Sequence, residues 1–190
     1  MSESKTSTEI YLYAGEINGD YGPICVFHDY ETAMMFLDSK YKSDLKSKYE
    51  IESYENCKRE IEKGMGSLIW GEPNNLKRYG SMYGDTIELI PENQTHMFVM
   101  ELSSHYGLVH TTFINKSNAI SNTVEDHNSQ IEDDGPYDDT EEPPARFLAE
   151  DIVKLIETNT CTIGGVFDDE STYTLTKVKL IRPGDDTSYL

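Results

Sequence analysis

Between Glu125 and Glu142 the chain carries nine acids and no lysine or arginine. Such a run cannot enter an apolar core, because a buried carboxylate needs a cation or several donors beside it. The fold is therefore expected to be built from the segments on either side. Those segments are only modestly apolar. Leu, Ile, Val and Phe number 41 among 190 residues, little above the roughly 20% below which a highly charged chain stays unfolded. A core is expected, and it is thin.

The whole chain holds 35 Asp and Glu against 16 Lys and Arg, a formal net charge of −19. The excess is uneven. Residues 1–60 hold 12 acids and 7 bases, residues 61–124 hold 6 and 4, and residues 125–190 hold 17 and 5. This is an oriented field, not a uniform coat, and its self-repulsion opposes folding. Direct binding to a phosphate backbone needs clustered Lys and Arg, which are absent. An anionic membrane surface is disfavoured on the same ground. The charge favours a basic protein surface, through a long-range attraction that salt weakens.

Residues 1–8 are polar and lack the apolar region of a secretory signal. Apolar runs such as residues 97–100 are strand-sized, far short of the roughly 18 residues that cross a bilayer. Cys25, Cys57 and Cys161 are odd in number and widely spaced. Reduced thiols and a cytoplasmic location are expected.

Residues 9–14 and 23–28 read as strands joined at Asn18-Gly19, a turn pair. Asp29 is a suitable N-cap for a helix whose face is Tyr30, Ala33, Met34, Leu37 and Tyr41. A second helix is expected over residues 53–63, and an irregular, glycine-rich connection over 64–85. Residues 86–90, 96–102 and 108–114 read as strands. Residues 118–124 fit a short helix or a loop, and 125–142 a solvated acidic loop. Pro143-Pro144 opens a helix with Leu148, Ile152, Leu155 and Ile156 inward and Glu150, Asp151, Lys154 and Glu157 outward. Residues 160–167 and 172–181 make a closing hairpin. The expectation is one α+β domain over 1–190. It has a mainly antiparallel sheet, about three helices, an acidic loop insertion at 125–142, and flexible tails at 1–8 and 183–190.

Three constellations have chemical potential. Cys25 and His28, with Asp29, could pair a nucleophile and a base, but Cys25 alternates with Phe27 and reads as a small buried hydrophobe. His96, His105 and His110, with Glu101 between them, could meet at a metal if their strands pair; single strand histidines are more often surface or pairing residues. Asp133–Glu142 has carboxylates for calcium but lacks the alternation of an oxygen-ligand loop, and Pro136 blocks its usual backbone path. The glycines of residues 64–71 lack dinucleotide or phosphate-loop spacing. No catalytic residue, metal or cofactor is expected.

The acidic surface is left as the functional feature. The expected contact face comprises Glu132, Asp133, Asp134, Asp138, Asp139, Glu141, Glu142, Glu150, Asp151 and Glu157. Duplex DNA presents about one negative charge per 1.7 Å of axis, a density that carboxylates along a helix and its loops can approach. In size and charge alone the chain resembles the phage and plasmid anti-restriction proteins, small acidic mimics of DNA. Lys outnumbers Arg 12 to 4 and Ile outnumbers Ala 15 to 5, usage that an AT-rich gene would give, in a phage, a low-GC bacterium or many other sources. The expected function is a non-enzymatic, phage-encoded inhibitor that occupies the basic nucleic-acid-binding surface of a host defence protein or other DNA- or RNA-binding protein. The alternatives are an antitoxin or immunity protein capping a basic toxin, and a virion or assembly component.

Overall fold

The computed structural model describes residues 7–17, 20–42, 48–62, 67–71, 78–104, 107–133, 145–164 and 170–190. In chain order the elements are β1 (Ser7–Ile17), β2 (Asp20–Phe27), α1 (Tyr30–Tyr41), α2 (Lys48–Glu62), β3 (Ser67–Gly71) and β4 (Arg78–Glu88). There follow β5 (His96–Ser104), β6 (Gly107–Phe113), α3 (Lys116–Asp133), α4 (Ala149–Thr158), β7 (Thr160–Gly164) and β8 (Glu170–Ile181). The class is α+β, with four helices among the described residues where about three were expected. The described residues fall into two compact units. One runs to Met97 and includes Val178–Leu190; the other is Phe98–Lys177.

In the first unit the strands lie in the order β3, β4, β1, β2, followed by the end of β8. β1 is buried from Ile10 to Ala14, as a near-continuous apolar run between two neighbours should be. Pro23 has no N–H for a ladder, and β2 accommodates it with a bulge: Tyr13 pairs with Cys25, but Ala14 pairs with Pro23. The β1–β2 and β1–β4 pairs are antiparallel. β2 and β8 are parallel, from Cys25 opposite Lys179 to Phe27 opposite Ile181, so the sheet, antiparallel in its other described pairs, is mixed. Asp29 caps α1 as expected, accepting from the Thr32 N–H at 2.8 Å. Ala33, Met34, Phe36 and Leu37 pack on Tyr11, Tyr13, Cys25 and Phe27.

Two expectations in this unit are corrected. The stretch read as an irregular connection contains β3 and the start of β4, antiparallel partners from Ser67 opposite Tyr83 to Gly71 opposite Arg78. The expected flexible C-terminal segment is docked. Leu190 packs on the first core, Lys40 donates to its carbonyl, and Lys179 donates to the Tyr189 hydroxyl at 2.7 Å. Residues 1–6 lie outside the described residues.

In the second unit β5 and β6 form an antiparallel hairpin from Phe98 opposite Phe113 to Ser104 opposite Gly107. β7 and β8 form another, from Thr160 opposite Thr174 to Gly164 opposite Glu170. The core gathers Met100, Ala119, Ile120, Phe147, Leu155, Cys161, Ile163, Tyr173 and Leu175. α3 starts where Asn115 Oδ1 accepts from the Asn118 N–H at 2.8 Å. It runs on through residues 125–133, where an acidic loop was expected. The helix persists because Ala119, Ile120, Thr123 and Val124 continue at helical spacing into His127 and Ile131, an inward row on which Glu125 and Asp126 face out. Residues 134–144 lie outside the described residues.

α4 also differs from expectation. It begins at Ala149, not at the Pro143-Pro144 pair. The Ala145 N–H donates to Gly164 O and the Phe147 N–H to Asn128 Oδ1. The Ala145 carbonyl accepts from His127 Nε2 at 2.9 Å, so it is not the acceptor for a helical turn. α4 ends at Asn159, in the left-handed region at φ 60°, whose N–H reaches Leu155 O at 3.0 Å. Asn tolerates that conformation better than most residues.

Candidate functional site: the α3–α4 face

In the second unit both α3 and α4 carry exposed acids. Glu125 and Asp126 are exposed on α3, and Glu150 and Glu157 on α4. Glu125 and Asp126 belong to the acidic run but were not among the expected contact acids. Their outward aspect depends on α3 continuing past Val124.

The expected contact acids fall into three groups. Glu132 and Asp133 stand in the last turn of α3. Asp134, Asp138, Asp139, Glu141 and Glu142 lie outside the described residues. Glu150, Asp151 and Glu157 are on α4, but Asp151 serves the fold. Its Oδ2 accepts from the Leu148 N–H at 2.9 Å at the helix start, and its Oδ1 lies 3.8 Å from Cys161 Sγ. A carboxylate in the first turn also suits the helix dipole. Burial first, and then the charge of Asp151, push the Cys161 thiol up from its ordinary value.

Between the two helices lies an open groove of about 700 Å3, lined by Lys116, Ser117, Ile120, Ser121, Val124, Glu125, Ile152 and Ile156. Its floor is apolar and its rim polar. Lys116 is the cation among these residues, and its ammonium is hydrogen-bonded to neutral acceptors. Nζ donates to Ile156 O and to Asn159 Oδ1, each at 2.7 Å. It thereby satisfies a carbonyl that the helix end leaves open and sits at the favourable end of the α4 dipole. The apolar surface extends over α4, where Leu148, Val153 and Ile156 are 56%, 51% and 48% exposed. Leu148 and Ile156 were expected to face inward; of that stripe only Leu155 is fully buried. Single exposed apolar side chains are ordinary. Of these three, Ile156 lines the groove, and Val153 stands about 60° round the helix from it.

The constellations with chemical potential are placed as follows. Cys25 is fully buried, and burial pushes its thiol up to about 12 against the lowering pull of Lys40 and Lys179. It is a core side chain with no thiolate at neutral pH. Glu101 and His110 are partners across β5 and β6, and their side chains meet at 3.0 Å between Oε2 and Nε2. His96 instead contacts Thr95 Oγ1 through Nδ1, and His105 lies outside the described residues. Among the described residues no three His, Cys, Asp or Glu side chains are grouped to hold a metal ion. Among them too, no helix is long and apolar enough to cross a membrane.

A fifth histidine, His127, was not singled out in the sequence. Its Nε2 donates to Ala145 O, and its Nδ1 lies 2.6 Å from the Tyr173 hydroxyl. Together with Asn128 it fastens residues 145–147, the approach to α4, onto α3.

Compared with known proteins, the chain matches no family model, no curated sequence and no solved structure. Its function is argued from its own residues.

Proposed function

We propose that this protein is a non-enzymatic acidic inhibitor that occupies the basic nucleic-acid-binding surface of a partner protein. The observation that carries this reading is where the charge sits. Residues 98–177, the second unit, hold 16 of the acids and only 4 of the bases. Glu125, Asp126, Glu150 and Glu157 are exposed on its two helices, where Lys116 and Lys154 are the described bases. Such a field accelerates encounter with a basic surface and repels nucleic acid itself. A decoy acts by taking the place of the phosphate backbone, so partner binding and nucleic-acid binding exclude each other. A phage-encoded antagonist of a host defence protein is the natural setting for such a decoy.

The experiment is capture of partners from bacterial lysate on the tagged protein, followed by challenge with duplex DNA and with salt. A basic nucleic-acid-binding protein released by both is the expected outcome. The fourfold variant Glu125→Gln, Asp126→Asn, Glu150→Gln, Glu157→Gln should hold that partner more weakly while keeping its helical circular dichroism. A partner that neither duplex DNA nor the fourfold variant displaces would overturn mimicry and favour a toxin-capping or assembly role.

A further inference from the structure

We propose that the α3–α4 groove is a docking site for a basic amphipathic helix of the partner. The inference deepens the acidic-contact reading above and rests on it.

The groove has the two parts that helix-in-groove recognition needs. Ile120, Val124, Ile152 and Ile156 supply an apolar floor, and Glu125 stands at its margin. From Lys116 to Glu125 it follows α3 for nine residue steps, about 14 Å, or two and a half turns. A helix laid along it would present apolar side chains to the floor at i, i+3, i+4 and i+7. On α4, Val153, Glu157 and Glu150 follow one another around the helix beyond Ile156, at about 100° per residue. Apolar contact at the floor thus passes into Glu157 and Glu150 before Lys154 is reached about 40° further round, and an occupant whose apolar stripe is flanked by Lys or Arg meets those carboxylates first.

Charge selects this occupant over the alternatives. A second copy of the chain would bring its own acids against Glu125, Glu150 and Glu157, and like charges across an interface are repulsive. A neutral apolar molecule would leave those acids without a role. Lys116 keeps its charge, since Ile156 O and Asn159 Oδ1 are neutral acceptors, but it is one of only 4 bases against 16 acids in residues 98–177, so the field around the groove stays negative. The groove therefore adds an apolar, orientation-dependent contact to a charge attraction that alone would not discriminate among basic proteins.

The test uses the full chain and fluorescently labelled synthetic peptides, read by anisotropy. The probe is a Leu–Lys peptide of roughly 14 residues, about four turns, with Leu on one helical face. The comparison peptides are the same composition in alternating order, and the Leu–Glu counterpart. Ile156→Asp introduces a charge into the floor, and Ser121→Trp fills the groove from α3. Val109→Asp, at an exposed β6 position outside the groove, controls for added charge. The expected result is binding of the Leu–Lys helix at least about tenfold tighter than either comparison peptide. Ile156→Asp and Ser121→Trp each lose about that factor, although Ile156→Asp makes the surface more attractive to lysine; Val109→Asp does not. Two groove variants entering from different helices keep the test valid if one fails to fold. If both Lys peptides bind alike and neither groove variant matters, the groove proposal fails while the acidic-contact reading stands. If the Leu–Glu peptide binds as well as Leu–Lys, charge selection fails and the groove is merely apolar. If no peptide binds, the groove proposal and the acidic attraction it rests on both fail.

Discussion

The Tyr173 hydroxyl on β8 donates to Nδ1 of His127 on α3 across 2.6 Å. The direction of that bond follows from the other ring nitrogen. Nε2 lies 2.9 Å from the Ala145 carbonyl, which can only accept, so Nε2 carries the proton and Nδ1 of the neutral ring is an acceptor. The ring also stands edge-on to Phe147 and Tyr173, with centroids 5.2 and 5.6 Å away. One side chain thus joins α3, β8 and the approach to α4.

Tyr173→Phe should therefore destabilise the protein by about 1–2 kcal/mol, because it leaves a part-buried Nδ1 without its donor. His127→Ala should cost more, about 2–4 kcal/mol, since it also removes the aromatic contacts and the hold on Ala145. Urea denaturation of the two single variants and the double variant separates these contributions. A coupling energy near zero would mean that the 2.6 Å contact contributes nothing.

Asp38 gives the acid dependence of the first unit a specific source. Burial by itself would raise its carboxyl. The hydrogen bonds from Lys58, at 2.9 and 3.1 Å, and from the Tyr54 hydroxyl, at 3.0 Å, outweigh burial and hold it below the ordinary value of 3.8. A carboxyl lowered in the folded state contributes stability that is fully present above its unfolded value and is lost as pH falls through the folded one. Asp38→Asn should cost about 0.5–1 kcal/mol at neutral pH, a modest figure because the pair is partly exposed and screened. The gap between wild type and variant should close as pH falls below 3.8. Denaturation curves at stepped pH check this; a gap that stays constant to the lowest pH would assign the stabilisation to packing rather than charge.

What was legible in the sequence had a local cause. β1 reads as a strand because Ile10 to Ala14 are apolar or aromatic without interruption, and α1 because Asp29 precedes a regular inward row. The parallel contact of Cys25 with Lys179 is invisible to such reasoning. The two are remote in sequence, and hairpin signals report only neighbours. β3 and the start of β4 were missed because glycine argues against a strand on propensity, whereas pairing with β1 and with each other decides the outcome. α3 was cut short because acids were counted while the spacing of His127 and Ile131 behind Val124 was not. The groove follows from the same element. Ile156 has an inward-looking pattern on α4, and only the placement of α3 leaves it half exposed. Five of the ten expected contact acids, Asp134, Asp138, Asp139, Glu141 and Glu142, lie outside the described residues.

The end of α3 sets stability against the proposed contact face. Its last turn contains Glu132 and Asp133 and no base. Carboxylates there oppose the helix dipole, at about 0.3–1 kcal/mol each. Glu132→Lys with Asp133→Lys should therefore raise unfolding free energy by about 0.5–2 kcal/mol, from relief at the helix end and from a net charge less repulsive to itself. The same change should weaken capture of a basic partner, and more so at low salt, where long-range attraction is least screened. Thermal unfolding and partner capture measured on one variant give opposite signs if these acids are retained for contact. Greater stability with unchanged capture would remove Glu132 and Asp133 from the contact face and move it to Glu125, Asp126 and α4. Weaker capture without a gain in stability would mean that their cost at the helix end is already met by solvent.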